Sequence, residues 1–111
     1  MHWIHLTDEE QLKQIISKSQ IRPQAIFKHS TRCSISAVAL QRLQKVPQPS
    51  DIDFYFLDLL AYRNLSNKIA AVFHVHHESP QILLVKNGEC VYEGSHLGIS
   101  MNEILGHAEA A

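Results

Sequence analysis

The stretch that decides the fold runs from Ala25 to Ala39: A-I-F-K-H-S-T-R-C-S-I-S-A-V-A. It begins as a short apolar run, passes through a polar loop, presents Cys33 and continues at helical spacing. Ala25 to Lys28 reads as a strand. Ile35, Val38, Ala39 and Leu43 give one apolar face to a helix from Ser34 to about Gln44. Cys33 therefore falls where a strand hands over to a helix. The first turn of a helix has N–H groups without intrahelical partners, together worth roughly half a positive charge. A thiol placed there ionises more readily than one in solution, and nearby Lys28, His29 and Arg32 are candidates to add to the effect.

Before this stretch, Thr7-Asp8-Glu9-Glu10 reads as a capping box, Thr7 serving the first-turn N–H and Glu10 reaching back. It opens a helix from about Asp8 to Lys18, with Leu12, Ile15 and Ile16 on one face, and Pro23 marks the exit. After it, Pro47 and Pro49 stop the second helix. Asp53 to Leu59, D-F-Y-F-L-D-L, is the second core strand. Asn64 or Ser66 then caps a helix that aligns Leu65, Ile69, Val72 and Phe73. Gln81 to Lys86 is a buried strand, and Asn87-Gly88 is a hairpin signal that returns the chain as Cys90 to Glu93. Ser100 and Glu103 form a second capping box ahead of Ile104 and Leu105.

The order predicts an α/β domain spanning residues 1–111, with a four-stranded mixed sheet flanked by helices and an extra helix at the N-terminus. Sites in such sheets gather at the carboxyl ends of the parallel strands, where Cys33 lies. Ten basic residues against eleven acidic ones leave a net charge of -1 with no block of like charge. That balance argues against nucleic acid or an anionic membrane as partner. The opening M-H-W-I-H-L-T-D-E-E lacks the pattern of a signal peptide, and no segment approaches the roughly 18 apolar residues of a membrane span. Two cysteines are too few for a disulfide framework, so free thiols in a cytoplasmic protein are expected.

The strand-loop-Cys-helix order, the βαβ-α-ββ-α succession and the Ser79-Pro80 pair entering the third strand resemble the thioredoxin-like fold. Cys33 and Ser36 stand where a dithiol member carries Cys-x-x-Cys, giving Cys-x-x-Ser. More specifically, the chain resembles the YtxJ-type monothiol bacilliredoxins. The matching blocks are F-K-H-S-T-R-C-S-I-S (Phe27 to Ser36), S-N-K-I-A (Ser66 to Ala70), H-H-E-S-P-Q (His76 to Gln81) and K-N-G-E (Lys86 to Glu89), with Ser95-His96 beyond. It departs from the family pattern at Ser34, where proline is common, and in L-G-I-S after His96, where several relatives carry an aromatic residue.

The resemblance implies thiol–disulfide exchange with bacillithiol as co-substrate and no tightly bound cofactor. Cys33 would take bacillithiol from S-bacillithiolated proteins, and a second low-molecular-weight thiol would release it. It also implies a cis bond before Pro80, with the Ser79 N–H and C=O available to an extended substrate. Arg32 or Lys28 would pair with the carboxylates of bacillithiol, beside Thr31 at the helix entry.

The residues themselves add three points. A thiolate of lowered basicity gains little in attack but is the better leaving group when an adduct is released. Ser36, a hydroxyl, cannot close an internal disulfide with Cys33, and Cys90 is predicted at the opposite end of the sheet, as a core residue. His74, His76 and His77 with Glu78 read as a polar loop beside the site rather than a metal centre, because zinc needs three or four ligands fixed together. No metal is expected. Two other functions compete: an Fe–S carrier like the monothiol glutaredoxins, disfavoured by the absence of C-G-F-S, and a thioredoxin-like adaptor without chemistry.

Overall fold

The computed structural model describes residues 1–110. Its elements in chain order are strand β1 (Ile4–His5), helix α1 (Glu9–Lys18), β2 (Gln24–His29), α2 (Ser34–Gln44), β3 (Asp53–Asp58), α3 (Arg63–Phe73), β4 (Gln81–Lys86), β5 (Glu89–Ser95), a 3-10 turn (His96–Gly98) and α4 (Met101–Glu109). The strands form one mixed sheet in the order β1-β3-β2-β4-β5. β1, β3 and β2 run parallel, while β4 pairs antiparallel with β2 and with β5.

Both faces of the sheet are covered, so every residue of β2 is buried rather than every second one. Ile26, Tyr55, Leu57, Leu83 and Val85 face one layer with Leu12 and Ile15 of α1 and Leu65, Ile69 and Phe73 of α3. Phe27, Phe54, Ile82 and Leu84 face the other, with Ala39 and Leu43 of α2 and Met101 and Ile104 of α4. This is the α/β thioredoxin-like architecture the sequence resembles, with one correction.

The sheet has five strands, not four. Ile4 and His5 pair with Tyr55 and Phe56, and the Leu6 N–H donates to the Phe56 carbonyl at 2.9 Å. A two-residue edge strand has no periodicity to read; it exists because β3 offers a free edge and Leu6 and Trp3 bury themselves around it. The same strand moves the first helix cap by one residue. Gln11 donates from Nε2 to the His5 carbonyl (2.8 Å), and its Oε1 accepts from the Asp8 N–H (3.3 Å). Asp8 in turn accepts from the Gln11 N–H at 2.9 Å. The box is therefore Asp8 and Gln11 rather than Thr7 and Glu10.

α3 also differs from expectation, because neither Asn64 nor Ser66 caps it. It starts at Arg63 after Tyr62, with no side-chain cap. Asp58 Oδ1 accepts from the N–H groups of Leu60 (3.1 Å) and Ala61 (3.4 Å), which turns the chain early and carries Ser66 into the helix interior. The hairpin follows the reading, and the last helix keeps the Ser100 half of its expected capping box without the return bond from Glu103. Asn87 and Gly88 adopt φ 53° and 79°, as a type I′ turn requires, and Ser100 Oγ accepts from the Glu103 N–H at 3.2 Å. Among the described residues no helix is long and apolar enough to cross a membrane.

Candidate active site

β2 ends at His29, and after a four-residue loop the chain starts α2 at Ser34, on the sheet face that carries Phe27. Cys33 is the N-cap of α2, with φ -110° and ψ 118°, and is half-buried. Its N–H donates to the Ser30 carbonyl (3.2 Å), and its own carbonyl accepts from the Ala37 N–H (3.3 Å). At an N-cap, a Ser or Asp oxygen ordinarily accepts from the first-turn N–H groups. α2 has no side-chain cap and no acidic residue in its first turn. The positive end of the helix at Cys33 is therefore left without a neutralising side chain.

The loop between strand and helix is held from inside. Ser36 is fully buried, and its Oγ accepts from the Ser30 N–H at 3.2 Å. Ser30 Oγ in turn accepts from the Arg32 N–H at 3.4 Å. The second position of Cys-x-x-Ser thus fastens the loop that presents Cys33. Thr31 and Arg32 lie exposed on that loop, and among the described residues Arg32 makes no ion pair.

Across the sheet edge, the register Lys28↔Gln81 brings the start of β4 beside the end of β2. The Ser79–Pro80 bond is cis. Pro80 is buried, and its carbonyl accepts from the His96 N–H at 3.0 Å. Gln81, also fully buried, fastens this turn: Nε2 donates to the His76 carbonyl and to Glu93 Oε2, both at 2.9 Å. Sequence reasoning passed over Gln81. The signal was a polar residue at the head of the apolar run I-L-L-V.

Lys28 is not where the sequence reading put it. A strand alternates its faces, so Lys28 points to the α1/α3 side, opposite Phe27. It is 0% exposed, and Nζ donates to the Ser66 carbonyl (3.1 Å) and to His77 Nδ1 (3.2 Å). Burial lowers its pKa from 10.5 to about 8. An ammonium so enclosed is not a surface cation for a carboxylate beside Cys33.

His29 is only 7% exposed and has no hydrogen-bond partner on either ring nitrogen. Its ring lies 5.1 Å from that of Phe56 and 5.8 Å from that of Phe27. Burial pushes its pKa down, with the Asp58 carboxylate opposing, so the ring is neutral at neutral pH. His76 and His96 each approach Glu78 at 3.9 Å. Among the described residues no three His, Cys, Asp or Glu side chains converge to hold a metal.

Cys90 occupies the far end of the sheet. It pairs with Val85, which pairs with Gln24 at the start of β2. The six residues of β2 separate that end from His29 by about 16 Å, far beyond the roughly 7 Å a disulfide allows. Both cysteines are free. The Cys90 sulfur contacts the Tyr92 carbonyl at 3.2 Å, and burial pushes its pKa up. Open clefts lie elsewhere, one of about 420 Å³ between the starts of α1 and α3 and one of about 330 Å³ at Cys90. Neither includes Cys33.

The arrangement has known counterparts. A solved structure described as an oxidoreductase with a thioredoxin fold is 36% identical and superposes with a TM-score of 0.80, over 96% of this chain and 93% of that one. The thioredoxin of Malassezia sympodialis is 16% identical, with a TM-score of 0.75 over 97% of each chain. The thioredoxin pre-protein of Schistosoma mansoni, also 16% identical, has a TM-score of 0.75 over 96% of this chain and 99% of its own. At such identity these two speak for the fold alone. The family model of monothiol bacilliredoxin BrxC matches residues 4–104. With one thiol at a helix N-terminus, a serine in the resolving position and this match over nearly its whole length, the chain belongs to the monothiol bacilliredoxin BrxC family, a thiol-redox family of thioredoxin fold.

Proposed function

We propose that the protein is a monothiol thiol–disulfide oxidoreductase that removes bacillithiol, or a similar low-molecular-weight thiol, from mixed disulfides with protein cysteines. The observation that carries this reading is the isolation of Cys33. Its sulfur sits at the N-terminus of α2, the resolving position is a buried serine hydroxyl, and the other thiol lies at the far end of the sheet. A protein so built can accept one adduct and needs an outside thiol to lose it.

The Cys33 thiolate attacks the bacillithiol sulfur of the mixed disulfide. A Cys33–bacillithiol disulfide forms, the protein–bacillithiol disulfide breaks, and the protein thiolate leaves with the electron pair and takes a proton. A second bacillithiol, as thiolate, attacks the adduct at the bacillithiol sulfur. Bacillithiol disulfide departs and Cys33 returns as a thiolate, stabilised by the helix end that favours charge there. One bacillithiol and one protein–bacillithiol disulfide enter, and one protein thiol and one bacillithiol disulfide leave.

Arg32, exposed beside the sulfur, is the candidate partner for the carboxylates of bacillithiol. The Ser79 backbone, entering β4 beside the end of β2, would pair with an extended peptide, and Thr31 in the loop before Cys33 would line a bound adduct.

Intact-mass analysis of the reduced protein mixed separately with bacillithiol disulfide, glutathione disulfide and coenzyme A disulfide tests the reading. An adduct on Cys33 with bacillithiol, absent in Cys33→Ser, is the expected result. No adduct with any of the three, or equal turnover by Cys33→Ser, would sink it.

A further inference from the structure

A buried polar cluster under the end of β2 joins three stretches that are distant in sequence. Lys28 of β2 is fully buried, and no carboxylate pairs with its ammonium among the described residues. It donates to the carbonyl of Ser66 in α3 and to Nδ1 of His77, three residues before Pro80. Ser66 is itself fully buried, with its hydroxyl 3.4 Å from the same imidazole nitrogen.

An ammonium has three donors and no acceptor. His77 Nδ1 must therefore accept, which leaves it without hydrogen and puts the ring hydrogen on Nε2. Among the described residues Nε2 has no hydrogen-bond partner, and it is not sealed from solvent. The half-buried ring thus offers one N–H outward, three residues ahead of the cis-bonded Pro80.

The charged groups around the ring keep it neutral. Burial disfavours the imidazolium most, followed by Lys28 from β2, Arg63 from α3 and His76 from the same segment, with only Glu78 opposing.

We propose that Lys28 is a positioning residue of the exchange site: it locks His77 in the Nε2–H form and so fixes a hydrogen-bond donor, on the segment leading to Pro80, for an acceptor oxygen of the bound thiol adduct. The donor's use rests on the exchange reading above; the lock does not.

Ring ¹⁵N spectra and a pH titration of the reduced full-length protein, compared with Lys28→Met, test the lock without any turnover. Native His77 is expected as a single Nε2–H tautomer that titrates below the ordinary histidine range. In Lys28→Met the tautomers should mix and the midpoint should rise. An unchanged His77 midpoint and tautomer would overturn the proposal. Should Lys28→Met fail to fold, the half-buried His77→Gln serves, with the native spectra alone judging the tautomer; a native Nδ1–H form would overturn it.

For the donor, His77→Gln is expected to raise KM for a bacillithiolated protein about three- to tenfold, the loss of one hydrogen bond, with Cys33 alkylation by iodoacetamide unchanged. An unchanged KM would overturn that half. If the native protein turns over no mixed disulfide, the exchange reading and the donor's use fail together, while the spectra still decide the lock.

Discussion

The two ends of the sheet hold one cysteine each and put them to opposite ends. At the β2–α2 junction Cys33 stands at a helix N-terminus, half open to solvent, on a loop braced from below by Ser36. At the hairpin end Cys90 lies in a strand, its sulfur against a backbone carbonyl and its pKa pushed up by burial. The same side chain stands half-buried at a helix start in one place and packs against the core from a strand in the other. What differs is the local backbone: an uncapped first helical turn at Cys33, and at Cys90 a paired strand beside apolar neighbours that disfavours a thiolate.

The largest effect should be the simplest break in this contrast. Cys33→Ser is expected to leave no exchange above the uncatalysed background, while Cys90→Ser retains turnover within about twofold, since Cys90 lies at the far end of the sheet from Cys33. Iodoacetamide at mild alkaline pH, followed by peptide mass mapping, should label Cys33 well ahead of Cys90. Equal labelling would erase the distinction.

Next comes the buried lysine at the Cys33 end. Its pKa is about 8 in the fold against 10.5 in the open chain, so burying the ammonium costs about 3 kcal/mol below pH 8. The cost shrinks as pH rises from 8 and is gone above 10.5. Denaturant titrations should show Lys28→Met lacking this gain between pH 8 and 10.5, whatever its stability at pH 7. Parallel curves for the two proteins would mean that Lys28 is not enclosed.

Ser36→Ala leaves the buried Ser30 N–H without its acceptor and should lower stability by about 1–3 kcal/mol. Ser36→Cys sharpens the comparison differently: it should allow an internal disulfide with Cys33, seen as the loss of two hydrogens on oxidation. The smallest effect belongs to Arg32→Ala. Removing an exposed charge should raise KM for bacillithiol substrates about two- to fivefold, more at low salt than at high.

Much of the scaffold was legible because it rests on period and punctuation. The strand-loop-helix stretch around Cys33, the type I′ hairpin at Asn87-Gly88 and the cap at Ser100 are local patterns, and each is present. β1 was not legible, since two residues have no period and their pairing with β3 comes from elsewhere in the chain. Lys28 misled for a related reason. Its nearness to Cys33 in sequence says nothing about the face its side chain takes, and the alternation of β2 sends it under α3.

By itself, then, the order of residues determined the layered fold and the place of one thiol at a helix start, since both follow from interactions within a few turns. Tertiary packing alone decided which polar groups would be enclosed and with whom: Lys28 with Ser66 and His77, Gln81 with Glu93, and Ser36 with Ser30. A buried donor or acceptor must find a partner wherever the chain brings one. That partner can lie dozens of residues away, where no local pattern points.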